Sequence, residues 1–262
     1  MKFPAVVWLA LLALLLAGGC RALPPAPPPA AVTSPEALLA RLQARQQLIK
    51  SFQAKGRITF LSPQQNYSGT ALLAGQLPAS LRVNILDFLG RTVLSFATDG
   101  AEVLVLSPRE NKLLRGPATP NNLAAFIPPS VSLPPALRLL LGALPLSAGP
   151  PDHFEYQAAT GRYLLEWRQG GALQERLWVE SQGLNPVQDE WFGGAPEPRF
   201  TAELANFGAL VPDLPEKITL KTTTPKSELR LVYGDLKLNP PLTPADLTLT
   251  PPAGAVQAPL GK

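Results

Sequence analysis

The sequence predicts a mainly β protein: a single antiparallel sheet of about eleven strands, curled into an unclosed half-barrel beneath a helical lid. Three observations lead there. Apolar and polar residues alternate with period two in short runs from Ser51 to Leu238. Turn residues separate those runs at the spacing of an antiparallel meander. One stretch, Thr119 to Pro151, breaks the pattern with leucines at helical spacing between prolines.

The chain opens with a different texture. Lys2 is followed by an uncharged run from Ala5 to Ala17 and then Ala17-Gly18-Gly19-Cys20. A charged start, a short apolar stretch and small residues describe a secretory signal over residues 1–19. The run is too short to span a bilayer as a helix. Cys20 is the sole cysteine, so no disulfide framework and no cysteine-based metal site is expected. Cys20 is either a chance cysteine behind an ordinary signal or a lipid acceptor. The second reading is favoured because Ala17-Gly18-Gly19-Cys20 resembles a bacterial lipobox, with Ala17 where leucine is usual. By that resemblance Cys20 carries several acyl chains, enough to hold the chain to a membrane. Arg21 stands where enterobacterial lipoproteins of the inner membrane resemble one another in having Asp, which points to the outer membrane.

Residues 20–35 read as a tether. Pro24, Pro25, Pro27, Pro28 and Pro29 favour extended polyproline geometry. About a dozen such residues reach roughly 30–40 Å. Beyond it, residues 36–255 form one domain and 256–262 a disordered tail. With 46% hydrophobic and 16% charged residues, the chain carries ample core material. Its net charge of +4, or +3 without Lys2, is mild and scattered, so nucleic acid is not an expected partner.

Ser34-Pro35-Glu36 starts a helix, with an N-cap hydroxyl, proline at the first position and an acid near the positive end. Strands follow over Ser51–Leu61, Tyr67–Ala74, two or three within Ala79–Ser107, and Asn111–Arg115. In the third, Leu81, Val83 and Ile85 share one face; in the fourth, Leu94 and Phe96 do. The turn between them, Asp87-Phe88-Leu89-Gly90, is greasier than a solvated turn requires. Phe88 and Leu89 either fold back on the core or form an exposed, lipid-seeking tip.

The lid is expected over residues 119–145. Thr119-Pro120 starts a short helix with Leu123, Phe126 and Ile127; Leu133-Pro134-Pro135 starts a second with Leu137, Leu140 and Leu141, ended by Gly142. It covers one end of the sheet, completes the core, or does both. A second meander runs through Phe154–Ala159, Arg162–Gln169, Leu173–Ser181, Val187–Phe192, Phe200–Asn206, Ile218–Thr223 and Glu228–Leu238. A half-barrel of this size encloses more space than its side chains readily fill. Acyl chains are the expected occupants, lined by Leu81, Val83, Ile85, Leu94, Phe96, Leu137, Leu140 and Leu141.

Several segments resemble the LolA/LolB family of outer-membrane lipoprotein-localisation proteins, most closely its membrane-anchored LolB-like members. They are Ser51-Phe52-Gln53-Ala54-Lys55-Gly56-Arg57-Ile58, Ile85-Leu86-Asp87-Phe88-Leu89-Gly90, and Leu133-Pro134 through Leu140-Leu141-Gly142 to Pro145. Tyr233-Gly234-Asp235 and Pro251-Pro252-Ala253-Gly254 are similar to LolA-type C-termini. The resemblance implies acyl-chain binding and delivery of lipoproteins, from a periplasmic LolA-like carrier, to the outer membrane's periplasmic face. It also implies a protruding membrane-inserting leucine, here Leu89, with Phe88 in place of the usual proline. The family's tryptophans in the second strand and lid helix are missing; Trp167, Trp178 and Trp191 lie elsewhere.

Catalysis is not expected, and neither is a cofactor or metal. His153 is the only histidine, and no nucleophile elbow or P-loop occurs. Asp189 and Glu190 are adjacent on a strand and so face opposite ways. The rival to a carrier is a lipoprotein that transfers nothing and serves as a structural, interaction or lipid-binding module.

Overall fold

The computed structural model describes residues 32, 34–63, 66–123, 133–145, 147 and 149–261. Cys20, the signal and all of the tether before Val32 lie outside the described residues, as do Phe126 and Ile127.

Helix α1 (Pro35–Gln47) begins where Ser34 Oγ accepts the Ala37 N–H at 3.3 Å, and buries Leu38, Leu39 and Leu42. The first meander comprises β1 (Ser51–Leu61), β2 (Asn66–Gln76), β3 (Ser80–Leu86), β4 (Thr92–Thr98), β5 (Glu102–Ser107) and β6 (Lys112–Pro117). Short helices α2 (Pro120–Leu123) and α3 (Leu133–Leu139) follow. The second meander comprises β7 (His153–Gln157), β8 (Arg162–Gln169), β9 (Ala172–Glu180), β10 (Pro186–Trp191), β11 (Phe200–Phe207), β12 (Pro215–Thr223) and β13 (Lys226–Leu238). Helix α4 (Pro244–Leu247) and β14 (Val256–Pro259) end the chain.

Among the described residues all fourteen strands belong to one sheet, ordered β14-β6-β5-β4-β3-β2-β1-β13-β12-β11-β10-β9-β8-β7. The meanders join at β1 and β13, which pair antiparallel from Phe52↔Leu238 to Leu61↔Glu228. A bulge between Lys55 and Gly56 bends this seam, and a Cβ on Gly56 would lie 2.6 Å from the Val232 carbonyl. Strands β6 and β7 lie near opposite ends of the sheet, and between them in the chain come α2 and α3, whose Leu123, Leu133, Leu137 and Leu139 join the main apolar cluster.

Fourteen strands replace the expected eleven, and one of them corrects the sequence reading outright. Residues 256–259 lie parallel to β6 instead of belonging to a disordered tail. The Val256 N–H donates to Asn111 O and the Leu260 N–H to Arg115 O, both at 2.8 Å. An otherwise open sheet edge gains partners for its backbone groups, which outweighs the proline-rich local sequence. The preceding segment crosses the outer side of the sheet, where Leu249 packs with Ala97, Leu106 and Leu113.

Candidate functional site

Two features stand out: a hairpin tip in solvent, and the covered inner face of the half-barrel.

At the tip, β3 and β4 are joined by residues 87–91, and Phe88 is 93% exposed and Leu89 61%. These side chains do not fold back on the core. The Asp87 carboxylate orders the loop that presents them. Its Oδ1 accepts the Leu89 N–H at 2.9 Å and the Arg91 N–H at 3.0 Å, and its Oδ2 accepts Arg91 Nε at 2.9 Å. The Gly90 N–H closes the turn onto Asp87 O, with Gly90 at φ +78. These backbone donors, with the Arg91 guanidinium, hold the Asp87 carboxyl below the usual carboxylate range. The result is two large apolar side chains offered to solvent on a backbone ordered by hydrogen bonds. Tyr67, 37% exposed at the start of β2, lies toward the same end of the sheet.

On the inner face, all eight residues expected to line an acyl cavity join one apolar cluster. Leu81, Ile85, Phe96, Leu137 and Leu141 are buried within it, and Val83, Leu94 and Leu140 pack against it half-buried. Leu38 and Leu42 of α1 and Leu139 and Leu144 of the lid segment complete the cluster. Helices α1 and α3 pack their own leucines against the face on which the acyl cavity is expected. A groove of about 640 Å³ lies elsewhere, between α1 and the β9–β10 turn, with Arg41, Arg45, Leu48 and Leu184 on its walls.

Polar contacts fasten the lid over this face. Gly142, at φ +68 and tight against Pro215, ends the turn that follows α3. Residues 140–145, 147 and 149 then form a strap. The Tyr233 hydroxyl donates to Leu140 O, Gln46 Nε2 to Leu144 O at 3.1 Å, and Trp167 Nε1 to Gly149 O at 3.2 Å. In the fourth contact the strap is the donor: the Ser147 N–H reaches Glu175 Oε2 at 3.1 Å.

Glu175 and Asp189 are residues that sequence reasoning missed. Both are fully buried on the inner face, on β9 and β10, where Leu177 opposes Asp189 and Trp191 opposes Glu175. Burial pushes the Glu175 carboxyl up to about 7, despite the Ser147 donor. Burial, together with the nearby Glu175, pushes Asp189 well above its ordinary value. Asp189 Oδ2 accepts Trp191 Nε1 at 2.7 Å, while Asp189 Oδ1 and Glu175 Oε1 have no partner among the described residues. Adjacent Glu190 is on the opposite face, 3.8 Å from Arg176, as strand alternation requires. Exposed His153 bonds Glu155. Among the described residues no three His, Cys, Asp or Glu side chains gather in metal-binding fashion.

No family model matches the sequence, and no curated protein is significantly similar to it. Solved structures are similar in fold. A LolA-superfamily protein from Nitrosomonas europaea superposes with a TM-score of 0.51 at 16% identity, over 83% of this chain and 99% of that one. A domain assigned to outer membrane lipoprotein sorting, from Vibrio parahaemolyticus, gives 0.53 at 13% identity over 82% and 95%. A DUF1329-family protein from Desulfovibrio piger gives 0.54 at 10% identity over 82% and 98%. With its single unclosed sheet and these likenesses, the chain has a LolA/LolB-like fold.

Proposed function

We propose that this protein is a lipoprotein, anchored through Cys20 on the periplasmic face of the outer membrane, that binds acyl chains beneath its lid. In this reading it accepts lipoproteins from a LolA-like carrier and inserts them, with Phe88 and Leu89 touching the bilayer. The observation that carries it is the tip. An exposed Phe-Leu pair on a hydrogen-bonded loop has no structural duty to the core, whereas a lipid surface gives it one. The inner face supports the other half of the reading, because it becomes an aliphatic trough once α3 and the strap are lifted from it.

A second reading is supported by the filling of that same face. A tethered module that transfers nothing needs no vacant interior, and the leucines of α1 and α3 leave little. The two readings separate on one experiment. Protein produced without residues 1–20 is examined by native mass spectrometry for bound lipid, then stripped and titrated with a fluorescent fatty acid. The carrier reading expects saturable uptake that competes with unlabelled fatty acid. Absence of both bound lipid and uptake leaves the tethered module.

A further inference from the structure

The inner face of a half-barrel proposed to take acyl chains holds two buried acids where every other requirement is for hydrocarbon. Burying a carboxyl without full hydrogen bonding is costly, and two side by side cost more. Such a pair needs an explanation, and its position supplies one. Glu175 is the sole group on the sheet that accepts a hydrogen bond from the strap's backbone among the four strap contacts described. The other three use a phenol, an amide and an indole, none of which changes charge near neutral pH.

We propose that the strap is a proton-controlled closure of the inner face, latched by Glu175, with Asp189 as the like-charged neighbour that forces it open when both carboxyls ionise. The proposal rests on the reading of the inner face as a ligand site. In the closed state a neutral Glu175 offers Oε2 as a carbonyl-type acceptor to the Ser147 N–H, and its proton resides on the otherwise orphaned Oε1. Lifting the strap admits water to both carboxyls, which favours their charged forms.

The groups facing the latch reinforce this. From β8 come Trp167 and Leu165; from β10, Asp189 and the Trp191 indole; from the strap, the Ser147 amide. Arg176, the neighbouring cation on β9, is engaged with Glu166 and Glu190 on the outer side, so it does not neutralise the pair. Glu190 adds to the repulsion on Asp189. The closed state therefore holds more protons than the open one. Raising the pH from about 4.5 to about 7 weakens closure, and lowering it tightens closure.

Hydrogen exchange on the full-length chain in detergent tests this without any ligand. Deuterium uptake is followed for strap amides and for β1 and β2 as the global reference, at pH 5.5 and pH 8, corrected for the intrinsic exchange rate. If the open strap restores the ordinary carboxyl value of 4.5, Glu175 alone raises the opening equilibrium about 25-fold across that interval. The expected result is a strap-specific rise approaching that size, abolished in the Glu175→Gln/Asp189→Asn double variant. A strap with no pH dependence, or one that changes only in step with β1 and β2, overturns the proposal. The wild-type comparison decides even if the double variant does not fold. A pH-linked strap in a protein that takes up no fatty acid would uphold the latch and remove the lipid reading alone.

Discussion

Glu175→Gln is expected to stabilise this protein at alkaline pH, contrary to the usual result of removing a hydrogen-bonded carboxylate. The glutamine oxygen can still accept the Ser147 N–H, so the contact survives and only the ionisable proton is lost. In the folded chain the carboxyl is pushed from 4.5 up to about 7 by burial. The folded state therefore holds its proton more tightly than the unfolded chain does. As pH rises through that interval the unfolded state ionises first and stability falls. The full penalty, reached above about pH 7, is about 3 kcal/mol. Asp189 adds to it with the same sign. Urea unfolding followed through the tryptophans reads this directly. For a domain of this size, an m-value of about 3 kcal/mol/M makes the expected rise in midpoint about 1 M at pH 8. At pH 5 the two proteins should agree to within about 1 kcal/mol. A variant destabilised equally at both pH values would refute the reasoning, because it would mean that Glu175 is charged in the folded protein and held by a cation.

Other perturbations have equally specific outcomes. Leu89→Glu combined with Phe88→Ser should alter folding stability by less than about 0.5 kcal/mol, since both side chains are exposed. In protein produced without residues 1–20, the same double variant should lose co-flotation with phospholipid vesicles, because burying that pair contributes roughly 3–6 kcal/mol; undiminished flotation would remove the tip from the account. Asp87→Ala frees the Leu89 and Arg91 amides, so deuterium uptake at residues 87–91 should rise while β1 remains protected. Leu137→Ala, at a side chain with no exposure, should cost 2–5 kcal/mol in the same urea assay, with the value setting how far the lid can collapse onto the gap.

The sheet was legible wherever one face is buried and the other is not. Leu81, Val83 and Ile85 alternate with Arg82 and Asn84, and β3 lies there within a residue at either end. Gly142 was legible as a helix stop because a positive φ leaves few alternatives to glycine. Features set by long-range register were not. Glu175 and Asp189 come together only because Leu177 opposes Asp189 across β9 and β10, and nothing local fixes that pairing. Inspection of neighbours in the chain leads to Asp189 and Glu190, which are on opposite faces. The strand Val256–Pro259 was hidden for the same reason, since its stability comes from the exposed backbone of β6 and not from its own composition. The filling of the inner face depends on where α1 and α3 settle, and amphipathic spacing gives a helix an apolar side without giving it an address.

The strand order has a consequence for assembly. Within each meander the strands pair with sequence neighbours, and the long seam between the two is β1 with β13, whose partners stand some 170–190 residues apart, while β14 adds a second junction on β6. Chain closure over that distance is the slow, entropically demanding step, while either half can organise through short hairpins. A break between Leu123 and Leu133 would therefore leave two fragments, each with a continuous run of hairpins, that meet along β1–β13 and again where β14 lies on β6. Co-expressed, they are suited to reconstitute the protein by zipping along that seam, which makes it a natural place to divide the molecule.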